Sequence, residues 1–173
     1  MWSAHSAPGL SQRTVRLPEG TWFDFWSDQP FHGPGEIERP IELERFPLLV
    51  RSPAVLPLET DGELALHVYC AANELPEGES VPAGFLYLDA GDGSPDGDFL
   101  EIEFHLQRQA GRLGLSAKTH GAFACPYSTV RLIPHGFTWQ SADLDGQPQP
   151  GGSSLTTRLP FQSITLELAA SQN

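Results

Sequence analysis

Carboxylates are the most numerous groups in this chain that could do chemistry, with 22 Asp and Glu against 10 Lys and Arg. Two carboxyl groups roughly 5–9.5 Å apart can act as acid and base across a sugar. Glu36, Glu38, Glu42 and Glu44 recur at a spacing of two or a multiple of two. That is the spacing of one solvated face of a strand, so no catalytic pair is assigned to them. Asp92, Asp96 and Asp98, with Asp89 close by, make an oxygen-rich loop. Calcium takes roughly six to eight oxygen ligands, often from such loops. The Asp92-x-x-x-Asp96-x-Asp98 spacing is not that of an EF-hand, which also needs a closing Glu. A polar hairpin turn is the primary reading, with a low-affinity Ca²⁺ site on these three aspartates as a weak second one.

The six histidines, His5, His32, His67, His105, His120 and His135, show no H-x-x-x-H spacing, and Cys70 and Cys125 are the only cysteines. A structural zinc site does not fit that inventory. Cys70 shares its alternation phase with Leu64, Leu66 and Val68. Two reduced, buried thiols are therefore expected rather than a disulfide. No nucleophile elbow, phosphate loop or dinucleotide fingerprint is present. The remaining functional candidates are aromatic. Trp22, Asp24 and Trp26 share one strand phase, and Phe23 and Phe25 share the other. One set should enter a core; the other would stack on a sugar or pack on a neighbouring domain. Trp22, Trp26 and Trp139 are therefore weak candidates for carbohydrate or domain contact, with Trp139 placed in a loop after Gly136.

These residues need elements to hold them, and the dominant period is two. Ile37, Arg39, Ile41 and Leu43 alternate with Glu36, Glu38, Pro40 and Glu42. Pro40 removes a ladder donor and points to an edge strand. Phe46–Arg51 and Ala54–Leu58 are nearly continuous apolar runs, expected to be strands buried on both faces. Glu63–Cys70 alternates, Gly84–Leu88 reads as a strand, and Leu100, Ile102, Phe104 and Leu106 should face one way. Gly111–Lys118 answers as a hairpin partner. Ser128, Val130 and Leu132 are expected to point inward, and Ile164–Leu168 forms a last strand. No amphipathic helix emerges. The expected fold is all-β, two small antiparallel β-sandwich modules packed together. Residues 1–12 form a divergent N-terminal segment, 13–60 an incomplete proximal part and 61–173 a distal sandwich.

Composition excludes several partners. With 173 residues and 39% hydrophobic content the chain can build a packed core. A net charge of −12 argues against nucleic acid and against an anionic membrane surface. No run approaches the roughly 18 apolar residues that span a bilayer. Met1–Ser6 lacks the basic and apolar regions of a secretory signal, so a cytoplasmic location is expected.

Gly9, Arg13, Val15, Leu17-Pro18-Glu19-Gly20 and Trp22-Phe23-Asp24-Phe25-Trp26 resemble the segment that follows the catalytic barrel in family-31 glycoside hydrolases, the α-glucosidase and α-xylosidase group. Pro40, Leu43 and Phe46–Arg51 are similar to that family's next apolar stretch, as Ala54–Leu58 is to its "S-I-I-P-L". Phe85–Gly93 echoes "F-x-L-Y-E-D-D-G" with extra residues. The resemblance implies a C-terminal β-sandwich region whose parent activity is hydrolysis of α-glycosidic bonds. The family's catalytic aspartates lie in the barrel, for which this chain has no room, so no residue here inherits their role and the chain is not expected to be an enzyme by itself. The implied partner is the barrel of a parent enzyme. A second reading is a free-standing carbohydrate-binding β-sandwich. The family's apolar strand before this region has no counterpart in Met1–Ala7, so another copy of the chain is an alternative partner for an open edge.

Overall fold

A computed structural model of the protein describes residues 12–40, 46–91 and 98–169. It divides into two compact units, one ending at Ser52 and the other beginning at Pro53. The sequence reading placed this division near residue 60. The difference has a direct cause, since Ala54–Thr60 forms a ladder with Glu63–Tyr69 and so belongs to the second unit.

In the first unit, β1 (Gln12–Asp24) lies between β2 (Pro30–Pro40) and β3 (Leu49–Arg51). Pro40 therefore ends an edge strand, as its missing donor requires. A bulge interrupts the β1–β2 register between Leu17 and Gly20, where Pro18 and Glu19 fall out of the pairing. The described residues of this unit form one three-stranded sheet, and the chain as a whole is all-β, as expected. The apolar run ahead of Arg51 is not buried on both faces. Phe46 and Leu48 are exposed, and Val50 alone of its large side chains is buried. With Arg51 this run contributes a ladder of only three residues to the sheet, and Leu49 within it is half-buried.

The second unit is a sandwich of two sheets. Its larger sheet contains β6 (Ser80–Asp89), β7 (Phe99–Gln109), β8 (Arg112–Gly121), β10 (Trp139–Leu144), β11 (Gln147–Gly152) and β13 (Ser163–Leu168), in the order β11-β10-β13-β8-β7-β6. Its smaller sheet contains β4 (Ala54–Thr60), β5 (Glu63–Tyr69), β9 (Val130–His135) and β12 (Leu155–Thr157), in the order β12-β9-β5-β4. The one parallel pair among the described strands is β5–β9, because the chain visits the larger sheet between them. Among the described residues there is no α-helix, only a single 3-10 turn at Ala72–Glu74. Among the described residues no helix is long and apolar enough to cross a membrane.

Local sequence sets the hairpins. Asp61-Gly62 and Asp145-Gly146 each join two antiparallel strands with both residues at positive φ. That backbone matches the right-handed twist of the strands it connects, and Asp and Gly adopt it at least cost. Asp145 also accepts hydrogen bonds from the Gln162 and Ser163 amides at 3.0 and 2.7 Å, tying its hairpin to β13. Between the hairpins, alternation decides the core. Leu100, Ile102, Phe104 and Leu106 of β7 are buried, as are Leu64, Leu66 and Val68 of β5 and Val130 and Leu132 of β9, all in one cluster. Ser128, expected to point inward, precedes β9 and is exposed.

Gly84 of β6 lies close against Val55 of β4, in the other sheet. A Cβ there would fall 2.1 Å from the Val55 carbonyl oxygen. Replacing Gly84 by Ala should lower the stability of the second unit by about 2–3 kcal/mol, read as a reduced urea midpoint at an unchanged slope. Burial of Cys70 pushes its thiol from 9.0 up to about 12. An unfolded thiol ionises near 9.0, so Cys70 costs stability as pH rises through that interval and costs none below it. At pH 8 Cys70 should resist a thiolate-specific reagent in the folded protein and react once denaturant is added.

Candidate functional site

The aromatic run ends in a turn built by one carboxylate. Asp24, the last residue of β1, is 1% exposed. Its Oδ1 accepts hydrogen bonds from the Trp26 amide (3.1 Å), the Ser27 amide (2.9 Å) and the Ser27 hydroxyl (2.8 Å). Its Oδ2 is paired with the Arg39 guanidinium from the end of β2. A short polar side chain that caps the two following amides is the local device that reverses a chain. The main chain agrees, with Asp28 N–H donating to the Asp24 carbonyl at 2.9 Å and Asp28 in the left-handed region at φ 59. Arg39 is further held over the Phe31 ring, 5.3 Å from its centroid.

This turn fixes what the unit shows to its surroundings. Phe25 N–H donates to the Leu48 carbonyl and the Trp26 indole Nε1 to the Phe46 carbonyl, both at 2.9 Å. The Phe25 and Trp26 rings meet edge to face, with centroids 5.0 Å apart. Trp26, Phe46 and Leu48 remain 51%, 70% and 44% exposed. Large apolar side chains gathered on a surface mark a contact site. The strand phases read from sequence fail beyond Asp24, because β1 ends there and Trp26 lies in the turn. Phe23 is buried, Trp22 is half-buried and Trp26 is exposed. The Trp22 indole donates to the Pro18 carbonyl at 3.0 Å.

The third tryptophan requires a correction. Trp139 is not in a loop; it opens β10 and is 4% exposed within the core of the second unit. Its ring therefore offers no face to a sugar. Of the acidic loop, Asp92 and Asp96 lie outside the described residues. Asp98 is exposed, and Asp89 accepts a hydrogen bond from Gly91 N–H at 2.9 Å. Glu42 and Glu44, and the N-terminal segment up to residue 11, also lie outside the described residues. No group of three His, Cys, Asp or Glu side chains suited to a metal occurs among the described residues. The fold does join two histidines that spacing kept apart. His67 Nδ1 and His135 Nε2 lie 2.9 Å from each other on the parallel strands β5 and β9. Cys70 and Cys125 are both free thiols, the first buried and the second half-buried.

Residues 3–56, the stretch that contains this turn, match the glycosyl hydrolase family 31 C-terminal domain. The sequence resemblance to that region holds. Solved family-31 enzymes share the fold. A dextranase of Flavobacterium johnsoniae complexed with isomaltotriose superposes at a TM-score of 0.69 and 14% identity, covering 93% of this chain and 25% of that one. An α-xylosidase of Xanthomonas citri gives 0.57 and 21%, covering 91% and 17%. An α-1,4-glucan lyase of Gracilariopsis lemaneiformis gives 0.59 and 17%, covering 91% and 21%. The chain thus spans a quarter or less of the length of these structures. No curated protein sequence matches it.

Removing the negative charge at Asp24 leaves Arg39 largely buried without its partner. Asp24→Asn should destabilise the first unit by about 3 kcal/mol, seen as an early tryptophan-fluorescence transition in urea, with the second unit unfolding at its original midpoint.

Proposed function

We propose that this chain is a non-catalytic accessory β-sandwich region that braces the catalytic barrel of a family-31 glycoside hydrolase, the parent activity being hydrolysis of α-glycosidic bonds. The observation that carries this reading is the Trp26–Phe46–Leu48 patch, held open to solvent by Asp24 inside the matched residues 3–56. Burying a large apolar side chain contributes roughly 1.5–3 kcal/mol, so Trp26 on the turn, together with Phe46 and Leu48 beside it, forms a favourable docking surface. The dextranase and α-xylosidase among the structural neighbours support an α-glycosidic parent activity. The free thiols at Cys70 and Cys125 fit a reducing, cytoplasmic setting.

The test is reconstitution. A family-31 barrel produced without its own C-terminal region is mixed with this chain, and hydrolysis of p-nitrophenyl α-glucoside and α-xyloside is followed with the thermal midpoint of the barrel. The chain alone should hydrolyse neither substrate. The mixture should form a complex and raise the barrel's midpoint, and a Trp26→Ala/Phe46→Ala variant should lose at least tenfold in affinity, on the order of 1.4 kcal/mol or more. Hydrolysis by the isolated chain, or equal binding by the double variant, would overturn the proposal.

A further inference from the structure

A second group of exposed rings lies on the second unit. On the outer face of the larger sheet, Phe85 and Tyr87 of β6 are 51% and 49% exposed. Tyr87 is stacked with Phe99 of β7, centroids 6.1 Å apart and planes within 11°. Phe99 in turn meets His120 of β8 at 5.4 Å. The register places a carboxylate opposite each ring: Glu103 faces Phe85, Glu101 faces Tyr87 and Asp89 faces Phe99. On the far side of β7, Lys118 stands opposite Glu103 and His120 opposite Glu101. Beside Phe85 the sheet is dented. A bulge at Pro82–Gly84 opens a shallow groove walled by Pro82, Gly84, Phe85, Glu103 and His105. Within it His105 Nε2 is buried, and its nearest carboxylate is Glu103, 3.5 Å away.

We propose that this face binds a neutral carbohydrate chain, with the Phe85 and Tyr87 rings as stacking platforms and Glu103 and Glu101 as acceptors for sugar hydroxyls. The chemistry favours that occupant over two others. A protein interface core is depleted of charge, and covering this face with protein would desolvate three carboxylates against a single lysine. A second copy adding a strand at β6 would need an open edge. Here the edge is blunted by Pro82 and by the bulge, and Gly84 is pressed against the Val55 carbonyl. A sugar supplies what the face lacks: C–H faces that lie on rings and O–H donors that meet carboxylates without a change of charge. The Tyr87 hydroxyl is crowded by acceptors in the same way. Partial desolvation, then the Asp89 carboxylate, push its ionisation above the ordinary tyrosine value. The proposal concerns the second unit alone and stands whether or not the chain braces a barrel.

The whole chain is titrated with maltoheptaose, cellohexaose and mannohexaose, followed by calorimetry and by amide chemical shifts. At least one oligosaccharide should bind, with shifts gathered on β6–β8. Tyr87→Ala and Phe85→Ala should each weaken binding about tenfold, and Glu103→Gln should weaken it less. Both rings are exposed, so thermal midpoints of these variants should match the parent. Three outcomes would overturn the proposal: no binding of any of the three sugars up to about 10 mM, binding insensitive to Tyr87→Ala, or a dimer in sedimentation that dissociates in Phe85→Ala/Tyr87→Ala, which would assign the face to a second copy.

Discussion

Leu66 and Leu132 from one sheet, and Ile102, Phe104, Leu106, Leu113 and Ile164 from the other, are removed from water almost entirely. Truncating any one of them to Ala would cost about 2–5 kcal/mol, comparable with the whole net stability of a small domain. Everything else in the second unit follows from keeping those side chains inside. Once Ile102 and Phe104 point inward, Glu101, Glu103 and His105 have to point outward, because successive residues of a strand face opposite ways. The ring-and-carboxylate face on β6 and β7 is thus the obligatory reverse of the core. The same logic explains why β11 can carry Pro148 and Pro150. It ends the larger sheet, and a proline on an edge strand can leave its missing donor on the open side.

The first unit rests on a different balance. Its described residues bury few large apolar groups, Leu17, Phe23 and Val50 among them. A three-stranded sheet with so small an interior is marginal, and polar interactions carry more of its order. Asp24 concentrates them. Its carboxylate gathers three donors from the turn and one guanidinium from β2, so a single side chain sets both the reversal of the chain and the position of Arg39. A charge this deeply buried is retained only where every acceptor site is used. The result is a rigid turn that displays Trp26 instead of burying it.

How far sequence reading went can be judged element by element. The alternating segments were legible, since burial on one face writes a period of two into the residues. The β5, β7 and β13 strands and the β7–β8 hairpin appear where that period placed them. Reading failed where the period is absent or is overridden. The Gln147–Gly152 strand, rich in proline and glycine, carries no apolar alternation to read; it is a strand because β10 offers it a ladder. The Phe46–Val50 run looks buried because it is apolar, yet only Leu49 and Val50, with Arg51, reach the sheet's ladder, and Phe46 and Leu48 stay exposed. Trp139 follows a glycine and looks exposed, yet β13 and β11 pair on either side of its strand and hold it in the core.

By itself the sequence determined that the chain would be all-β, that its surface would be acidic, and that its first third would carry the turn and aromatic run of a family-31 C-terminal region. Each of these depends on local composition or on residues close together along the chain. Only the tertiary structure decided which tryptophan would be buried. It also brought His67 to His135 through a parallel pairing, and set Phe85, Tyr87 and Phe99 on one face with a carboxylate opposite each ring. The reason is physical. Alternation says that a residue faces one side of its own strand, but strand order and register decide which residues become neighbours, and both are fixed by burial summed over the whole sandwich.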